Sequence, residues 1–479
     1  MKVWINKTTE IEPIHGFEDA IRFDILNEGP KSNIKVNFEE LWRRFKKDNL
    51  EPIYEDLIIV ATSVYAADKR IPRAGIYAGE VEDNWTREIC MSIPVLEIER
   101  WNSIKSGIEN ILGFLSGDLW EINFRKTDLR FRNIKSKKKY DIVGQDFDAV
   151  SLFSGGLDSY SGAINLLEQE KHVCFVGCRE YNALGNRIYE LYRILKENYP
   201  NQNIDMIIFN ADPRTPRNID EDLKGKYIEN TSRSRSFLFL AIALAIASQI
   251  GKNVPVYIPE NGFIGLNIPL TPSRRGSCST RTTHVYFINE LNNILKMLEI
   301  PHKVKNFFAY KTKGEIVQGV KTTKAFKMGA GKTISCSHPM RADKGIKGRP
   351  RNCGYCYPCL IRRASLNGVD VNEEYLEKFK EEYKIGMDFV KNERFSNPDT
   401  GKTTDLKAVL LSLHYYLKYG SKDYYTNKLV ALGGMNMKEI DEYVKVYMKS
   451  MEELYEFVKT QAQLNGDDLL TFIEGAIDE

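Results

Sequence analysis

The sequence predicts an α/β protein built around a parallel sheet. Between residues 146 and 366, short apolar runs typical of strands alternate with longer helical patterns. Such an alternation is typical of parallel sheets that are covered on both faces. A serine- and glycine-rich turn joins the first of these strands to the first helix, and cysteines further along have metal-site spacing. The sequence therefore predicts a ligand-binding α/β domain with a metal site.

The apolar runs and helical patterns give the elements of this domain. Candidate strands are Ala149–Phe153, His172–Gly177, Asp205–Phe209 and Val254–Ile258. Candidate helices are Ser159–Glu170, Arg187–Tyr199 and Arg235–Ile250. Glu260 and Asn261 follow the last strand. We expect both at the carboxyl edge of the sheet, where ligands of open α/β folds bind.

The turn Ser154–Ser159, with the sequence Ser-Gly-Gly-Leu-Asp-Ser, has the features of a phosphate-binding loop. Gly155 and Gly156 allow backbone amides to approach an anion, the two serines add hydroxyl donors, and the following helix adds a favourable dipole. The carboxylate of Asp158 would repel phosphate unless it binds Mg²⁺ or caps the helix. The turn matches neither the Walker A pattern nor the G-x-G-x-x-G fingerprint. A simple capping turn is the alternative interpretation.

Four cysteines predict a tetrahedral zinc site. Cys353, Cys356 and Cys359 are separated by two residues each, and Cys336 lies upstream. Four protein ligands leave no coordination position for water, which indicates a structural metal. An iron–sulfur cluster is the rival interpretation, and His338 is a second choice for the fourth ligand.

The remaining cysteines, Cys90, Cys174, Cys178 and Cys278, fit no metal spacing. Cys174 lies in a candidate buried strand and is expected in the core. Cys178 follows the end of that strand and could face a ligand, although a packing role is favoured.

Residues 1–140 are expected to form an N-terminal α+β domain. The runs Leu57–Val60 and Ile93–Ile98 have strand character, and Ile104–Leu115 has a helical pattern. No motif of known chemistry occurs there, so we expect partner or dimer contacts. The basic segment Arg130–Lys139 is interpreted as a linker or exposed hairpin in preference to a nucleic-acid contact.

Residues 371–479 are expected to form a helical C-terminal region. Its helical patterns include Leu406–Leu417 and Met437–Gln461. The region contains no catalytic signature, and docking or dimer formation is expected for it by exclusion. The basic segment Arg341–Arg363 before it could contact RNA, but solvation around a metal site explains it as well.

The composition is that of an ordinary soluble protein. The chain has 479 residues, of which 42% are hydrophobic and 28% charged, and its net charge of +3 is too small to indicate a nucleic-acid partner. The N-terminus has no long apolar core, and the apolar stretch Phe237–Ala247 is too short to span a bilayer. We therefore expect a cytoplasmic protein without membrane contact.

The loop and the cysteines together resemble one family of ATP-using enzymes. The Ser154–Ser159 motif is similar to the PP-loop of the HUP-type ATP pyrophosphatases, whose members include tRNA thiolation enzymes. Combined with the cysteines, it resembles 7-cyano-7-deazaguanine synthase (QueC). The segments Arg235–Leu240 and Lys311–Ile316 match further parts of that pattern. The resemblance covers residues 146–366, and the added ends are similar to the enlarged QueC-like proteins of bacterial antiviral systems, the QatC-like and CBASS-associated forms.

The resemblance implies a HUP/Rossmann-like fold with a four-cysteine zinc knuckle and a requirement for ATP, Mg²⁺ and Zn²⁺. It implies that the enzyme adenylates a carboxylate, 7-carboxy-7-deazaguanine in this family, releases pyrophosphate and passes the acyl group to ammonia or a protein amine. Defence-operon proteins are then expected partners. The residues implied to bind ATP are Ser154, Gly155, Gly156, Leu157, Asp158, Ser159, Val176 and Arg179. Those implied in catalysis are Ser154, Asp158, Ser159, Arg235 and Lys313.

Four alternatives stay open on the sequence alone. Arg235 fits a surface salt bridge as well as a substrate contact, and Lys313 fits a solvated helix start as well as a phosphate contact. The protein could instead be a tRNA thiolation enzyme, for which Cys178 is the candidate sulfur carrier. It could also be a nucleotide-sensing scaffold of a defence complex, a role against which the intact Ser154–Ser159 loop argues.

Overall fold

A computed structural model of the chain describes residues 1–14, 16–26, 31–44, 49–73, 86–131, 146–178, 182–229, 233–266, 281–337, 339, 350–371, 402–465 and 469–475. The strands are β1 (Lys2–Lys7), β2 (Ile21–Ile25), β3 (Ile34–Val36), β4 (Glu88–Val95), β5 (Leu119–Lys126), β6 (Ala149–Leu152), β7 (Val173–Cys178), β8 (Ile204–Phe209), β9 (Ala211–Pro213), β10 (Val256–Tyr257) and β11 (Val304–Lys305).

The α-helices are α1 (Phe38–Arg44), α2 (Pro52–Arg70), α3 (Ile98–Ser103), α4 (Lys105–Ser116), α5 (Leu157–Glu168), α6 (Asn182–Asn198), α7 (Arg235–Ile250), α8 (Gly262–Leu266), α9 (Val285–Met297), α10 (Lys313–Val320), α11 (Lys324–Gly329), α12 (Tyr357–Ser365), α13 (Lys402–Tyr419), α14 (Lys422–Leu432), α15 (Met437–Asn465) and α16 (Leu469–Gly475). Short 3₁₀ turns occur at Glu221–Lys226 and Ala330–Lys332. In the described part of the chain, no helix combines the length and the apolar character that crossing a bilayer requires.

The N-terminal region contains a parallel sheet with the strand order β2-β1-β4-β5. This differs from the α+β arrangement that the sequence predicts for residues 1–140. The difference arises because α3 and α4 connect β4 to β5 as a crossover, and neighbouring parallel strands need such a connection. The region is therefore α/β in character.

The strand predicted at Leu57–Val60 is wrong, because these residues lie inside α2. Every residue of this helix from Ile53 to Asp68 is buried, so no exposed polar face marks the helical period in the sequence. Packing on all sides outweighs the strand preference of the isoleucines and valines. The strand predicted at Ile93–Ile98 begins earlier, at Glu88, and ends at Val95.

The predicted strands and helices of the middle region are confirmed, with ends shifted by a few residues. Five strands form a second parallel sheet in the order β11-β10-β6-β7-β8. The chain passes from β6 to β7 on one side and later returns to β10 on the other side. The carboxyl end of β6 is thus the point where successive connections diverge, which is where open α/β sheets form a crevice.

Both faces of this sheet are buried, as the sequence predicts. Val173 and Phe175 pack in a cluster with residues of α5 and α6. Cys174 and Val176 alternate with them and join the opposite cluster, which contains α7 and α9. Cys174 is fully buried, which confirms its expected place in the core.

The N-terminal region and the middle sheet share one hydrophobic core. Residues of α2 and α7 belong to the same buried cluster, together with both parallel sheets. At the end of α2, the carboxylate of Asp68 accepts hydrogen bonds from the backbone N–H groups of Arg233 (2.7 Å) and Ser234 (2.8 Å). The N-terminal region thereby fixes the start of α7.

The described C-terminal residues are helical and form a second core with part of the middle region. The patterns at Leu406–Leu417 and Met437–Gln461 lie within α13 and α15. The long helix α15 packs against α8, α10 and α12, and residues of α8 and α12 belong to the C-terminal cluster. The predicted region also includes residues 372–401, which lie outside the described part of the chain.

Candidate functional site

The loop between β6 and α5 forms a compact turn at the carboxyl edge of the middle sheet. Gly155 has a φ of +78°, a conformation that favours glycine. The backbone N–H of Gly156 donates to Ser154 Oγ at 3.3 Å, and the Oγ atoms of Ser154 and Ser159 lie 3.1 Å apart. Gly156 is the N-cap of α5. The loop thus presents two hydroxyls at the beginning of a helix.

A cavity of about 330 Å³ opens beside this loop. It lies at the carboxyl ends of β6, β7 and β10, the position expected for a ligand of a parallel sheet. Its described lining combines apolar walls with hydroxyl, carboxyl and guanidinium groups. The lining residues are Leu152, Phe153, Ser154, Ser159, Val176, Cys178, Leu184, Arg233, Arg235, Ser236, Phe239, Ile258, Pro259, Glu260, Thr282 and Thr283.

Asp158 does not cap α5, because its carboxylate turns toward α10 and the segment after β10. Lys313 Nζ lies 2.6 Å from Asp158 Oδ1, and Asn261 Nδ2 donates to Oδ2 at 2.7 Å. Asp158 and Lys313 are both buried. A solvated helix start is thus not the role of Lys313, although it is the first residue of its helix. Asn261 lies at the site, as expected from its place after the strand.

Glu260 brings a second carboxyl group to Asp158. Burial acts to raise the pKa of Asp158, but the charge of Lys313 and hydrogen bonds from Glu260, Lys313 and Asn261 lower it to about 2. Burial and the negative charge of Asp158 raise the pKa of Glu260 well above its ordinary value. The lowered pKa favours the ionised form of Asp158 and the raised pKa favours the protonated form of Glu260. Glu260 also lines the cavity.

The other predicted site residues have mixed outcomes. Arg235 lines the cavity at the first turn of α7, and its guanidinium lies 5.7 Å from the ring centroid of Phe239. Val176 lines the apolar wall. Arg179 lies outside the described residues. Cys178 also lines the cavity, so it faces the same space as the loop hydroxyls.

Cys336, Cys353, Cys356 and Cys359 come together as the sequence predicts. Their Sγ atoms all lie within 4.8 Å of one another, and the distances Cys353–Cys359 and Cys336–Cys356 are both 3.9 Å. Tetrahedral zinc with Zn–S bonds of about 2.3 Å separates its sulfurs by about 3.8 Å. The group could therefore hold a metal ion such as zinc. His338 lies outside the described residues.

The segment before Cys336 joins the cysteine group to the Ser154–Ser159 loop, through Ser335 and the backbone of Ile334. Asn352 holds Ser335 in place, and sequence reasoning missed both Ser335 and Asn352. Ser335, next to Cys336, accepts a hydrogen bond through Oγ from the backbone N–H of Leu157 at 3.4 Å. The backbone N–H of Ile334 donates to the carbonyl of Gly155 at 2.9 Å. Asn352, next to Cys353, accepts from the N–H of Ser335 at 2.9 Å. Adjacency to the cysteines is the signal that could have found Ser335 and Asn352.

Comparison with protein-family models and with curated proteins gave no match. A functional interpretation of this chain therefore depends on the chemistry of its own residues. The relevant features are the two hydroxyls of Ser154 and Ser159, the buried Asp158–Lys313 ion pair, a cavity with apolar and polar walls, and the group of four cysteines.

Proposed function

We propose that the protein is a QueC-like ATP-dependent ligase with a HUP/Rossmann-type PP-loop domain. The observation that carries the proposal is that Ser154 and Ser159 line the cavity while Asp158, in the same loop, pairs with the buried Lys313. An anion-binding loop at a parallel-sheet edge suits the phosphates of ATP. The apolar wall around Val176 suits the adenine ring.

The proposed reaction has two steps. A carboxylate oxygen of the substrate attacks the α-phosphorus of ATP, the bond from that phosphorus to the bridging oxygen breaks, and pyrophosphate leaves. An amine then attacks the carbonyl carbon of the acyl-adenylate, AMP leaves with the shared oxygen, and the amine loses a proton. The first step activates a poor leaving group, because AMP departs far more readily than an oxide ion.

Individual residues have defined parts in this proposal. Ser154, Ser159 and the amides of Gly155 and Gly156 would bind the departing pyrophosphate. Arg235, which also lines the cavity, would orient the substrate carboxylate. Each of these contacts neutralises charge that moves during adenylation. Their combined effect would favour the transition state over the bound substrates.

Two metals fit the residues in different ways. Asp158 and Glu260 have adjacent carboxyl groups, whose oxygen atoms are donors of the kind that Mg²⁺ prefers. Mg²⁺ bound there would neutralise phosphate charge. The four cysteines leave no open position on a tetrahedral Zn²⁺, so zinc would have a structural part.

The substrate class is proposed from the resemblance of the motifs. We take it to be a deazapurine carboxylate such as 7-carboxy-7-deazaguanine, with ammonia or a protein amine as acceptor. A cytoplasmic role in antiviral defence, with operon-encoded partner proteins, belongs to the same proposal.

The test is release of pyrophosphate from ATP, Mg²⁺ and 7-carboxy-7-deazaguanine, alone and with operon partners. Ser159→Ala should lower kcat/KM about tenfold or more, since it removes a hydroxyl at the phosphates. Ser161→Ala is the matched control on the same helix, because Ser161 is buried and lies outside the cavity lining. Formation of ADP and phosphate, or no carboxylate-dependent release of pyrophosphate, would contradict the proposal. Binding of ATP without turnover would indicate a nucleotide-sensing scaffold.

One observation favours a second candidate, a PP-loop tRNA thiolation enzyme. Such an enzyme carries sulfur on a cysteine beside the adenylated substrate, and Cys178 lines the cavity with the loop hydroxyls. The ligase needs no thiol at this place, so the two candidates differ in their dependence on Cys178.

A further inference from the structure

The first turn of α10 is held by a residue that lies about 140 positions further along the chain. Thr312 is the N-cap of this helix and forms a capping box with Glu315. Glu453, on α15, adds a third partner: its carboxylate accepts hydrogen bonds from Thr312 Oγ1 and, at 3.2 Å, from the backbone N–H of Gly314. These two groups flank Lys313 in sequence. The carboxylate of Glu453 thus binds the residues on both sides of Lys313, the lysine that pairs with Asp158.

The carboxylate of Glu453 lies so close to Gly314 that it leaves no room for a side chain there. A Cβ atom at position 314 would lie 2.4 Å from Glu453 Oε1 and 2.6 Å from its carboxyl carbon. Real Cβ atoms do not come so close to another heavy atom, so any larger residue would push the carboxylate away. Glycine at position 314 avoids this clash. Its presence here is explained by the contact with Glu453.

The same helix supports the other partner of Asp158. The ring of Tyr447 packs against Phe263 with centroids 5.2 Å apart, and a Cβ at Gly262 would lie 3.1 Å from Val446. Gly262 and Phe263 directly follow Asn261, whose side chain donates to Asp158. Helix α15 therefore contacts the Lys313 segment and the Asn261 segment, which both donate hydrogen bonds to the carboxylate of Asp158.

We infer that α15 is part of the active site's framework and that Glu453 is a positioning residue, which fixes the start of α10 so that Lys313 reaches Asp158. The inference rests on the proposed function only in giving Asp158, the partner of Lys313, a part in catalysis as an oxygen donor for Mg²⁺. The C-terminal region then has a role beyond docking, because the site is incomplete without its carboxylate. Glu453 acts on substrate only through Lys313 and is not itself catalytic.

The experiment measures the reactivity of Lys313 directly, by amine-selective labelling of the full-length protein and mass spectrometry. In the wild type, Lys313 is buried and paired, so it should label slowly. Glu453→Ala should raise its labelling rate about tenfold or more, since it removes two charge-assisted hydrogen bonds. Glu453→Gln keeps one acceptor and should lie between the two. Lys311, which is exposed, is the internal reference.

Glu452→Ala is the matched control, because Glu452 is the exposed neighbour of Glu453 on α15 and its substitution removes the same type of side chain. It should leave Lys313 labelling within about twofold of wild type. Unchanged labelling in a folded Glu453→Ala protein would overturn the inference, and so would an equal rise at Lys321. Should Glu453→Ala not fold, Glu453→Gln decides by the same comparison.

Pyrophosphate release is measured on the same variants and separates this inference from the proposed function. Loss of positioning should lower kcat by up to about 10²-fold while changing the KM for ATP much less, because a displaced lysine affects the transition state most. Faster labelling of Lys313 in Glu453→Ala, with no pyrophosphate release even in the wild type, would support the positioning role of Glu453 and contradict the proposed ligase function. Normal labelling with normal pyrophosphate release in Glu453→Ala would keep the ligase and reject the positioning role.

Discussion

Lys313 Nζ lies 2.6 Å from Asp158 Oδ1, and this ion pair joins the helix after the loop to a helix 155 residues further along the chain. Both side chains are buried, so each charge depends on the other for compensation. Removing one partner leaves an uncompensated charge in the interior, whereas removing both does not. The pair therefore gives a clear prediction for single and double variants.

Lys313→Met should destabilise the protein by about 3–5 kcal/mol, because it leaves Asp158 ionised and unpaired. Denaturant unfolding followed by tryptophan fluorescence measures the loss. The double variant Lys313→Met with Asp158→Asn should recover most of it, since no buried charge remains. Lys311→Met is the control and should change stability by about 0.5 kcal/mol or less, because Lys311 is exposed. A double variant no more stable than Lys313→Met would contradict this account of the pair.

Features that depend on neighbouring residues were predictable from the sequence. The four cysteines and the Ser154–Ser159 loop are recognisable because their spacing is local, and Asn261 follows from the end of a strand. The role of Lys313 stayed open, because its partner is 155 residues away and no local pattern distinguishes a buried lysine at a helix start from a solvated one. Glu453 carried no signal, since it lies on the polar side of an ordinary amphipathic helix.

One error of the sequence interpretation has a related cause. Leu57–Val60 was predicted as a strand because its residues favour strands locally, but the helix that contains them is buried on nearly all sides. Periodicity identifies a helix only where one face meets solvent. The parallel order of the N-terminal sheet was missed for a different reason: the crossover helix α4 was predicted at Ile104–Leu115, but the strands β1, β2 and β5 were not.

Removal of the metal should make the Ser154–Ser159 loop less rigid. The Cys336 segment supplies Ser335, whose Oγ accepts from Leu157 N–H, so releasing this segment removes a support of α5. We expect about one zinc ion per chain by elemental analysis. Chelation, or Cys356→Ser, should speed amide hydrogen exchange at Leu157 and weaken ATP binding.

Cys90→Ser is the control for the metal experiment, because Cys90 lies on β4 away from the group. It should leave zinc content and exchange at Leu157 unchanged. Iron with the visible absorption of an iron–sulfur cluster would contradict zinc. Unchanged exchange at Leu157 after complete metal loss would contradict the coupling to the loop.

Gly155→Ala should distort the loop. The φ of +78° costs an alanine about 1–2 kcal/mol, and the new Cβ would lie 3.0 Å from Ile188 Cγ1. We expect destabilisation of about that size together with ATP binding weakened about tenfold or more, measured by calorimetric titration. Gly319→Ala is the control, since a Cβ there meets no atom within 4 Å and alanine favours the helix. Wild-type affinity in Gly155→Ala would show that the loop conformation is not needed for binding.

His284→Asn should reduce the decrease in the free energy of unfolding that the wild-type protein shows at acid pH. His284 is the N-cap of α9, and its Nδ1 accepts from Tyr286 N–H at 3.2 Å. Burial and the charge of Arg281 lower its pKa from the ordinary 6.5 to about 4. Between these values the unfolded chain binds a proton that the native protein does not, so wild-type stability falls as pH drops from about 6.5 toward 4.

The size of this loss is up to about 3 kcal/mol, from 1.36 kcal/mol for each unit of pKa difference. Asparagine keeps an N-cap acceptor but does not titrate, so the variant should lose less stability over the same pH range. Denaturant unfolding at pH 8, where the histidine is neutral in both states, measures the packing cost of the substitution alone. Parallel wild-type and variant curves between pH 7 and pH 4 would contradict the lowered pKa.

Cys178→Ser separates the two candidate enzymes, because only one of them requires a sulfur atom in the cavity. Cys178 lies at the end of β7 and lines the cavity with Ser154 and Ser159. There the outer sulfur of a Cys178 persulfide could attack an adenylated carbon and expel AMP, after which an external dithiol would reduce the resulting disulfide bond and release the thiolated product and the Cys178 thiol. For the ligase, serine is nearly isosteric and should leave pyrophosphate release within about twofold of wild type. For a thiolation enzyme, the variant should still adenylate its substrate but form no sulfur-containing product, because serine cannot carry a persulfide. Cys90→Ser controls for thiol loss in general. A Cys178→Ser protein that adenylates normally but forms no C–N product would move the assignment from the ligase to thiol-dependent chemistry at this position.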